Sequence, residues 1–275
     1  MSYYSVLNLN KEPFSTSPDP YFLYPSMSHQ QALQRLEIAI RLKRGLSLIF
    51  GDVGIGKTTL ARALVQNLNQ DPMIITHLIF DPVYESEFQF VAYLAKIFGI
   101  RQNFRSVIDY KEAIEKFLFK KCIDDENIVV LIIDEAQKLS PVSLEILRTL
   151  LNYETNEYKL LQVVIMGQTE LLGRLKRIRN FSDRISLKYV LNPLGINETK
   201  SMIEFRLKQA GYNSGRTLFT DRAIELIYQY TQGYPRRIAN ICHLALEELV
   251  MKEKIIVEEG MVTEIIDKDR KVGLN

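Results

Sequence analysis

The stretch GDVGIGKT, Gly51–Thr58, constrains this chain more than any other. It fits G-x-x-x-x-G-K-[ST] in full. It stands between a short apolar run, LSLIF at 46–50, and a segment with helical spacing, KTTLARALVQNL at 57–68, which is the context such a loop needs. Its glycines let main-chain amides curl around phosphate oxygens, and the following helix points its positive end at them. The expected nucleotide-binding residues are therefore Gly51, Asp52, Val53, Gly54, Ile55, Gly56, Lys57, Thr58 and Thr59. Lys57 would reach the β- and γ-phosphates and the Thr58 hydroxyl would ligate Mg2+.

Around that loop, short apolar runs alternate with amphipathic stretches. MIITHLIF at 73–80, NIVVLIID, LLQVVIMG and RISLKYVLNPL read as strands. SEFQFVAYLAKIFG, SVIDYKEAIEKFLFKK and PVSLEILRTLLNYE read as helices between them. Apolar strands separated by helices predict an α/β class, a three-layer αβα domain on a parallel sheet. After Pro193 the strand pattern stops. NETKSMIEFRLKQAG, DRAIELIYQYTQG and PRRIANICHLALEELVMKE then predict a small all-helical domain. Ahead of the sheet, residues 1–27 carry Pro13, Pro18 and Pro20, which prevent a helix, and aromatics that predict an ordered arm. A helix capped by Ser28 and stopped by Gly45 follows. The expected divisions are 1–45 for arm and helix, 46–193 for the α/β domain and 194–275 for the helical domain.

A second pair of residues narrows the chemistry. Asp134 and Glu135 directly follow the apolar run IVVLII, at the carboxyl end of a buried strand, where α/β sheets present their ligand crevice. Asp134 is placed to hold Mg2+ through its water shell, and Glu135 to orient and deprotonate an attacking water. Water as nucleophile means nucleotide hydrolysis, and the absence of a complete [NT]-K-x-D element favours ATP over GTP. Gln168, at the end of the next strand, would emerge beside Asp134 if those strands are neighbours. Its amide would bond the γ-phosphate or the water.

Bulk properties exclude other classes. The chain has 275 residues, 47% hydrophobic and 25% charged, an ordinary globular composition, and its net charge of +2 does not by itself point to nucleic acid. The longest apolar run is too short to span a bilayer, and the amino terminus lacks the regions of a signal peptide. The expected location is cytoplasmic. Cys122 and Cys242 match no metal-ligand spacing and read as reduced core thiols, and His29, His77 and His243 form no cluster, with His29 expected at the surface.

Taken in order, Gly51–Thr58, Asp134–Glu135, Gln168, Arg184 and Arg236 resemble the Walker A, Walker B, sensor 1, arginine finger and sensor 2 of the AAA+ ATPases. The lead EPFSTSPDPYFLYPSMSHQQAL with IIDEAQKLS, GQTEL, DRISLKYVLNPL and GYPRRIANICHLAL is similar to the ExeA/TnsC-type branch, from about Pro13 to about Leu246. The resemblance implies an αβα ATPase domain with a helical lid, an arm near the nucleotide base, and homo-oligomers (rings or filaments) with ATP between subunits. Secretion-type members carry a transmembrane segment and a peptidoglycan-binding region after the ATPase. The sequence as given ends at Asn275 with neither, so a transposition-type regulator is the expectation.

Two basic stretches bear on that expectation. GRLKRIRNFSDRISLK at 173–188 carries Arg174, Lys176, Arg177, Arg179, Arg184 and Lys188 against the single acid Asp183. Arg184 reads best as the finger acting on a neighbouring subunit. The other residues of 174–179 read equally as a solvated face or as contacts to DNA phosphates. In QGYPRRIAN, Arg236 and Arg237 follow Pro235 at the start of a helix, where cations oppose the macrodipole at roughly 0.3–1 kcal/mol each. A γ-phosphate facing that helix would reverse the sign, so Arg236 is expected to tie lid to nucleotide. Two functions stand: an ATP-dependent switch that binds double-stranded DNA and a transposase, or an ATPase serving a secretion, pilus or polysaccharide-export machine through protein contacts.

Overall fold

The structure, a computed structural model, describes residues 3–178 and 180–272. In chain order its helices are α1 (Tyr3–Val6), α2 (Met27–Arg41), α3 (Lys57–Leu68), α4 (Glu87–Ile97), α5 (Val107–Phe119), α6 (Pro141–Leu150), α7 (Glu170–Leu175), α8 (Ile196–Gln209), α9 (Asp221–Thr231), α10 (Pro235–Met251) and α11 (Glu259–Val272). The strands are β1 (Leu46–Phe50), β2 (Ile74–Ile79), β3 (Ile128–Ile133), β4 (Leu161–Gly167) and β5 (Ile185–Val190). The chain divides into two compact units, one of residues 27–53 and 57–191, the other of residues 3–26, 54–56 and 192–272. This differs from a division at 45 and 193: α2 belongs with the sheet and the arm belongs with the carboxyl-terminal helices.

The first unit is a five-stranded sheet in the order β2-β3-β4-β1-β5, with every pairing parallel. The central strands β1, β3 and β4 are apolar on both faces because helices cover both. Leu46, Leu48, Phe50, Val129, Leu131, Ile133, Val163 and Ile165 pack with Phe90, Leu94, Ile114, Leu118 and Leu147 from α4, α5 and α6. The alternate residues Ile49, Val130, Ile132, Val164 and Met166 are equally buried, on the side where α2 and α3 pack against the strands. This is the expected αβα arrangement. Ser86, Ser106 and Ser140 each accept a main-chain N–H in the first turn of α4, α5 and α6, so these helices begin where their caps lie.

One local expectation is corrected. α2 begins at Met27 with Ser28 inside it, and it ends at Arg41 rather than running to Gly45. Lys43 takes the left-handed turn at φ 51°, and the Arg44 N–H donates to the Ala39 carbonyl, closing the helix end before the glycine is reached.

The second unit is built on α8–α11. Ile203, Ala223, Ile227, Ile238, Cys242, Leu246, Val262 and Ile265 share one core. α11 was not visible as a helix in the sequence, because Met261, Val262, Ile265 and Ile266 give only a brief stripe and Gly260 stands in the first turn. Gly233, at φ 76°, is required: a Cβ there would lie 2.0 Å from the Leu194 carbonyl oxygen, and the Leu194 N–H donates to Gly233.

The arm is ordered by this helical core. Phe14 is 1% exposed and meets Phe219 edge-on. The Tyr3 hydroxyl lies 3.1 Å from His243 Nδ1. Arg206 of α8 is partly buried, and burial holds its guanidinium below the usual range. It donates to the Phe22 and Ser15 carbonyls, each at 3.2 Å. Truncation leaves those carbonyls without donors, at roughly 1–3 kcal/mol apiece. Arg206→Leu should therefore destabilise the fold by about 2–4 kcal/mol in denaturant titrations and expose residues 13–24 to limited proteolysis. An unchanged midpoint and cleavage pattern would show that the arm is held without it.

Candidate functional site

The carboxyl ends of three neighbouring strands assemble the site. β4 lies between β1 and β3, so Gln168 emerges between the phosphate loop after β1 and Asp134 after β3. The Gly51 N–H donates to the Gly167 carbonyl at 3.3 Å, which fixes the start of the loop to the end of β4. Gly54 and Gly56 take positive φ values of 79° and 103°, as a loop that turns its amides inward requires. Ile55 is buried at the turn while Val53 is exposed.

From the first turn of α3, Lys57 is 5% exposed, and its Nζ donates to the Gly51 and Asp52 carbonyls at 2.8 and 2.9 Å. The ammonium is thus held inside the loop by the loop's own backbone. The Thr58 hydroxyl donates to Asp134 Oδ2 at 2.5 Å. Thr59 follows on the same turn, partly buried.

Asp134 is 1% exposed, and its Oδ1 is buried with no hydrogen-bond partner. Such an orphaned acceptor costs roughly 1–3 kcal/mol and is retained where a ligand uses it. Burial pushes the Asp134 carboxyl above its ordinary pKa, while the Thr58 hydroxyl pulls it back. A hydroxyl and an unpaired carboxylate oxygen at one point are hard oxygen donors, and they fit a hydrated Mg2+ ion.

Glu135 stands in the left-handed region at φ 49°, an uncommon conformation for a non-glycine residue that concentrates at functional sites. Its Oε2 accepts a hydrogen bond from Gln137 Nε2 at 2.6 Å. The Gln168 main-chain N–H in turn donates to Gln137 Oε1 at 3.2 Å.

The arginines fall in separate places. Arg184 ends a short turn before β5, so it lies at the amino edge of the parallel sheet, opposite the edge that carries Asp134 and Gln168. Its guanidinium donates to Asn152 Oδ1 at 2.5 Å and to the Asn180 carbonyl at 3.0 Å. It therefore does not join the site of its own chain. Arg174 is neither a solvated nor a free phosphate-binding residue: it donates to the Gln137 and Leu139 carbonyls. Lys176 and Arg177 are exposed, and Arg179 lies outside the described residues.

Within the helical unit, Arg236 and Arg237 are exposed in the first turn of α10. The Arg236 N–H, one of the unpaired amides of a helix start, donates to the Gly54 carbonyl at 3.1 Å. A Cβ on Gly54 would lie 2.9 Å from Arg236 Cβ, so only glycine fits there. Arg237 stacks over Tyr234 at 5.5 Å. His29, expected at the surface, is 2% exposed within α2.

Sequence reasoning missed Gln137, whose signal was limited to a polar residue two places after Glu135. It also missed Arg174, which looked like one more cation in a basic run.

Residues 40–175 match the family described as AAA domain. The chain carries an AAA domain. General secretion pathway protein A of Aeromonas hydrophila is 36% identical to this chain over 253 residues. That match covers 89% of this chain and 44% of the relative, so the chain spans less than half the relative's length. Solved structures agree on the fold. The Aeropyrum pernix ORC2 protein, in ADPNP-ADP complexes, superposes with a TM-score of 0.71 at 16% identity, over 97% of this chain and 73% of that one. Drosophila ORC bound to DNA gives 0.66 at 19% identity over 96% and 65%. The Thermotoga maritima RuvB Holliday junction branch migration motor gives 0.59 at 18% over 88% and 68%. Among the described residues of the chain, no helix is long and apolar enough to cross a membrane.

The buried Asp134 carboxylate yields a prediction with a definite sign. Its folded pKa lies above its unfolded value, so its contribution favours the fold below the unfolded pKa and is lost as pH rises through the folded one. Asp134→Asn should raise the melting temperature of the nucleotide-free protein near pH 7 by about 2–4 °C, and the gain should vanish as pH falls toward 4. A lower melting temperature for the variant at pH 7 would contradict this reading of Asp134.

Proposed function

We propose that the chain binds and hydrolyses ATP, and that nucleotide state switches its assembly with copies of itself and with a partner. The observation that carries this is the Thr58 hydroxyl on Asp134, with the second Asp134 oxygen buried and unpaired and Glu135 directly beside it. In this reading the amides of residues 51–58 and the Lys57 ammonium bind and orient the phosphates. Thr58 and Asp134 would hold Mg2+, which would supply charge neutralisation at the phosphates. Glu135 takes the proton of the attacking water, and the Gln168 side-chain amide steadies that water or the γ-phosphate.

Arg184 and Arg236 complete the assignment. Since Arg184 stands at the far edge of its own sheet, the role that fits it is a finger acting on the site of a neighbouring subunit, worth roughly 10³–10⁵ in kcat. Arg236, whose main chain holds the Gly54 carbonyl, is the lid arginine, sensing the phosphate end of the nucleotide.

For the partner, the likeness to General secretion pathway protein A supports a secretion machine; a pilus or polysaccharide-export machine, likewise reached through protein contacts, belongs to the same reading. Double-stranded DNA, with a transposase as the client, is the second reading. The exposed Lys176, Arg177 and Lys188 favour it, whereas Arg174 does not contribute because its guanidinium is already engaged.

Glu135→Gln should keep ATP affinity within about threefold of the parent and lose at least about 10²-fold in turnover, read by nucleotide titration and phosphate release. Retained turnover would remove Glu135 from the mechanism. Mixing Arg184→Ala with Lys57→Ala chains should restore part of the activity that each lacks alone, because one supplies the site and the other the finger. No recovery at any ratio would contradict action between subunits. Binding to duplex DNA at low salt in the presence of ATP would decide for the second reading, and its absence for the first.

A further inference from the structure

Gln137 is the residue in the site for which the ATPase assignment has no use, and its surroundings are unusual. Its single side-chain amide is engaged at both ends. Nε2 donates to Glu135 Oε2 at 2.6 Å, and Oε1 accepts the Gln168 main-chain N–H at 3.2 Å. Reversing the amide would set its oxygen against a carboxylate and its NH2 against an N–H, so the two partners fix one orientation. Arg174 holds the main chain around it by donating to the Gln137 and Leu139 carbonyls. On the other side lies Gly167, where an added Cβ would press on Leu171 Cδ2 at 3.1 Å and meet Gln137 Oε1 at ordinary contact distance, 3.4 Å.

Glu135 has no comparable support from its own backbone. Its left-handed φ of 49° aims the side chain off the end of β3, and a carboxylate on two flexible methylenes can sweep a wide arc. The Gln137 donor removes that freedom at one oxygen and leaves the other oxygen for the water. Because the same amide also holds the end of β4, the aim of Glu135 depends on where Gln168 lies.

Resting on the reading of Glu135 as the general base, we propose that Gln137 is a positioning residue for ATP hydrolysis, which clamps the Glu135 carboxylate and couples its aim to the end of β4. A displacement of about 1 Å at a reacting group is enough to cost 10²-fold in rate. The clamp acts on the chemical step and not on nucleotide binding, since neither of its two hydrogen bonds goes to residues 51–59.

The test uses the full chain in single-turnover hydrolysis over a range of ATP concentrations with Mg2+, for the parent, Gln137→Leu, Gln137→Glu and Glu135→Gln. Gln137→Leu removes both bonds. Gln137→Glu keeps an oxygen for the Gln168 N–H but sets a carboxylate against Glu135. Both should lower the plateau rate 10- to 100-fold with half-saturation within twofold of the parent, and Gln137→Glu should be no faster than Gln137→Leu. A Gln137→Glu protein at the parental rate would overturn the proposal, since it would reduce Gln137 to an acceptor supporting β4. So would a parental rate for Gln137→Leu, or a loss carried by half-saturation instead of the plateau. Glu135→Gln separates the two levels. If it turns over like the parent, the base assignment fails; if it is inactive while both Gln137 variants run at the parental rate, only the clamp fails.

Discussion

The hydrogen bond from the Thr58 hydroxyl to Asp134 joins residues 76 positions apart, and most of the site follows from it. For it to form, the first turn of α3 must sit over the carboxyl end of β3, although β4 separates β1 from β3. The phosphate loop makes this possible. It leaves β1 tied to Gly167 of β4, turns at Gly54 and Gly56, and enters α3 with Lys57 folded back on its own carbonyls. Helices on both faces bury the central strands, so the strand ends that carry Gly51, Asp134 and Gln168 have little freedom to drift. Rigid placement of this kind is what electrostatic catalysis requires, because donors and acceptors must be aimed before charge develops.

The site keeps its unfavourable features together. Asp134 is buried with one oxygen unpaired, and Glu135 is held in a left-handed conformation. Each costs stability in the isolated fold, and on the proposed reading each would have a use with phosphates and a cation bound. The second unit shows the opposite pattern. Its core of α8–α11 is continuous, the arm is held on it by Phe14, Tyr3 and Arg206, and Gly233 is fixed by a backbone approach that admits no side chain.

Where the pattern was strong, the fold was legible in the sequence. LSLIF and KTTLARALVQNL correspond to β1 and α3 residue for residue, because a buried parallel strand reads as an unbroken apolar run and the loop between them is a recognisable motif. The failures have local causes. α11 was hidden by a short stripe with glycine in its first turn. Glycine is the usual left-handed residue, so the sequence predicts the end of α2 at Gly45, yet Lys43 takes that turn. Arg174 could not be told from its basic neighbours, since its partners are main-chain carbonyls 37 and 35 residues away. Gln137 was legible as a residue but not as a role, because its meaning depends on the pairing of β3 with β4.

The central claim is that Thr58 and Asp134 form a cation site serving bound ATP. Calorimetric titration of the full chain with ATP, in Mg2+ and in EDTA, tests it most directly. The account predicts that Mg2+ tightens ATP binding at least about tenfold, or about 1.4 kcal/mol, and that Thr58→Ala abolishes the difference. Equal affinity with and without Mg2+ in the parent would contradict it.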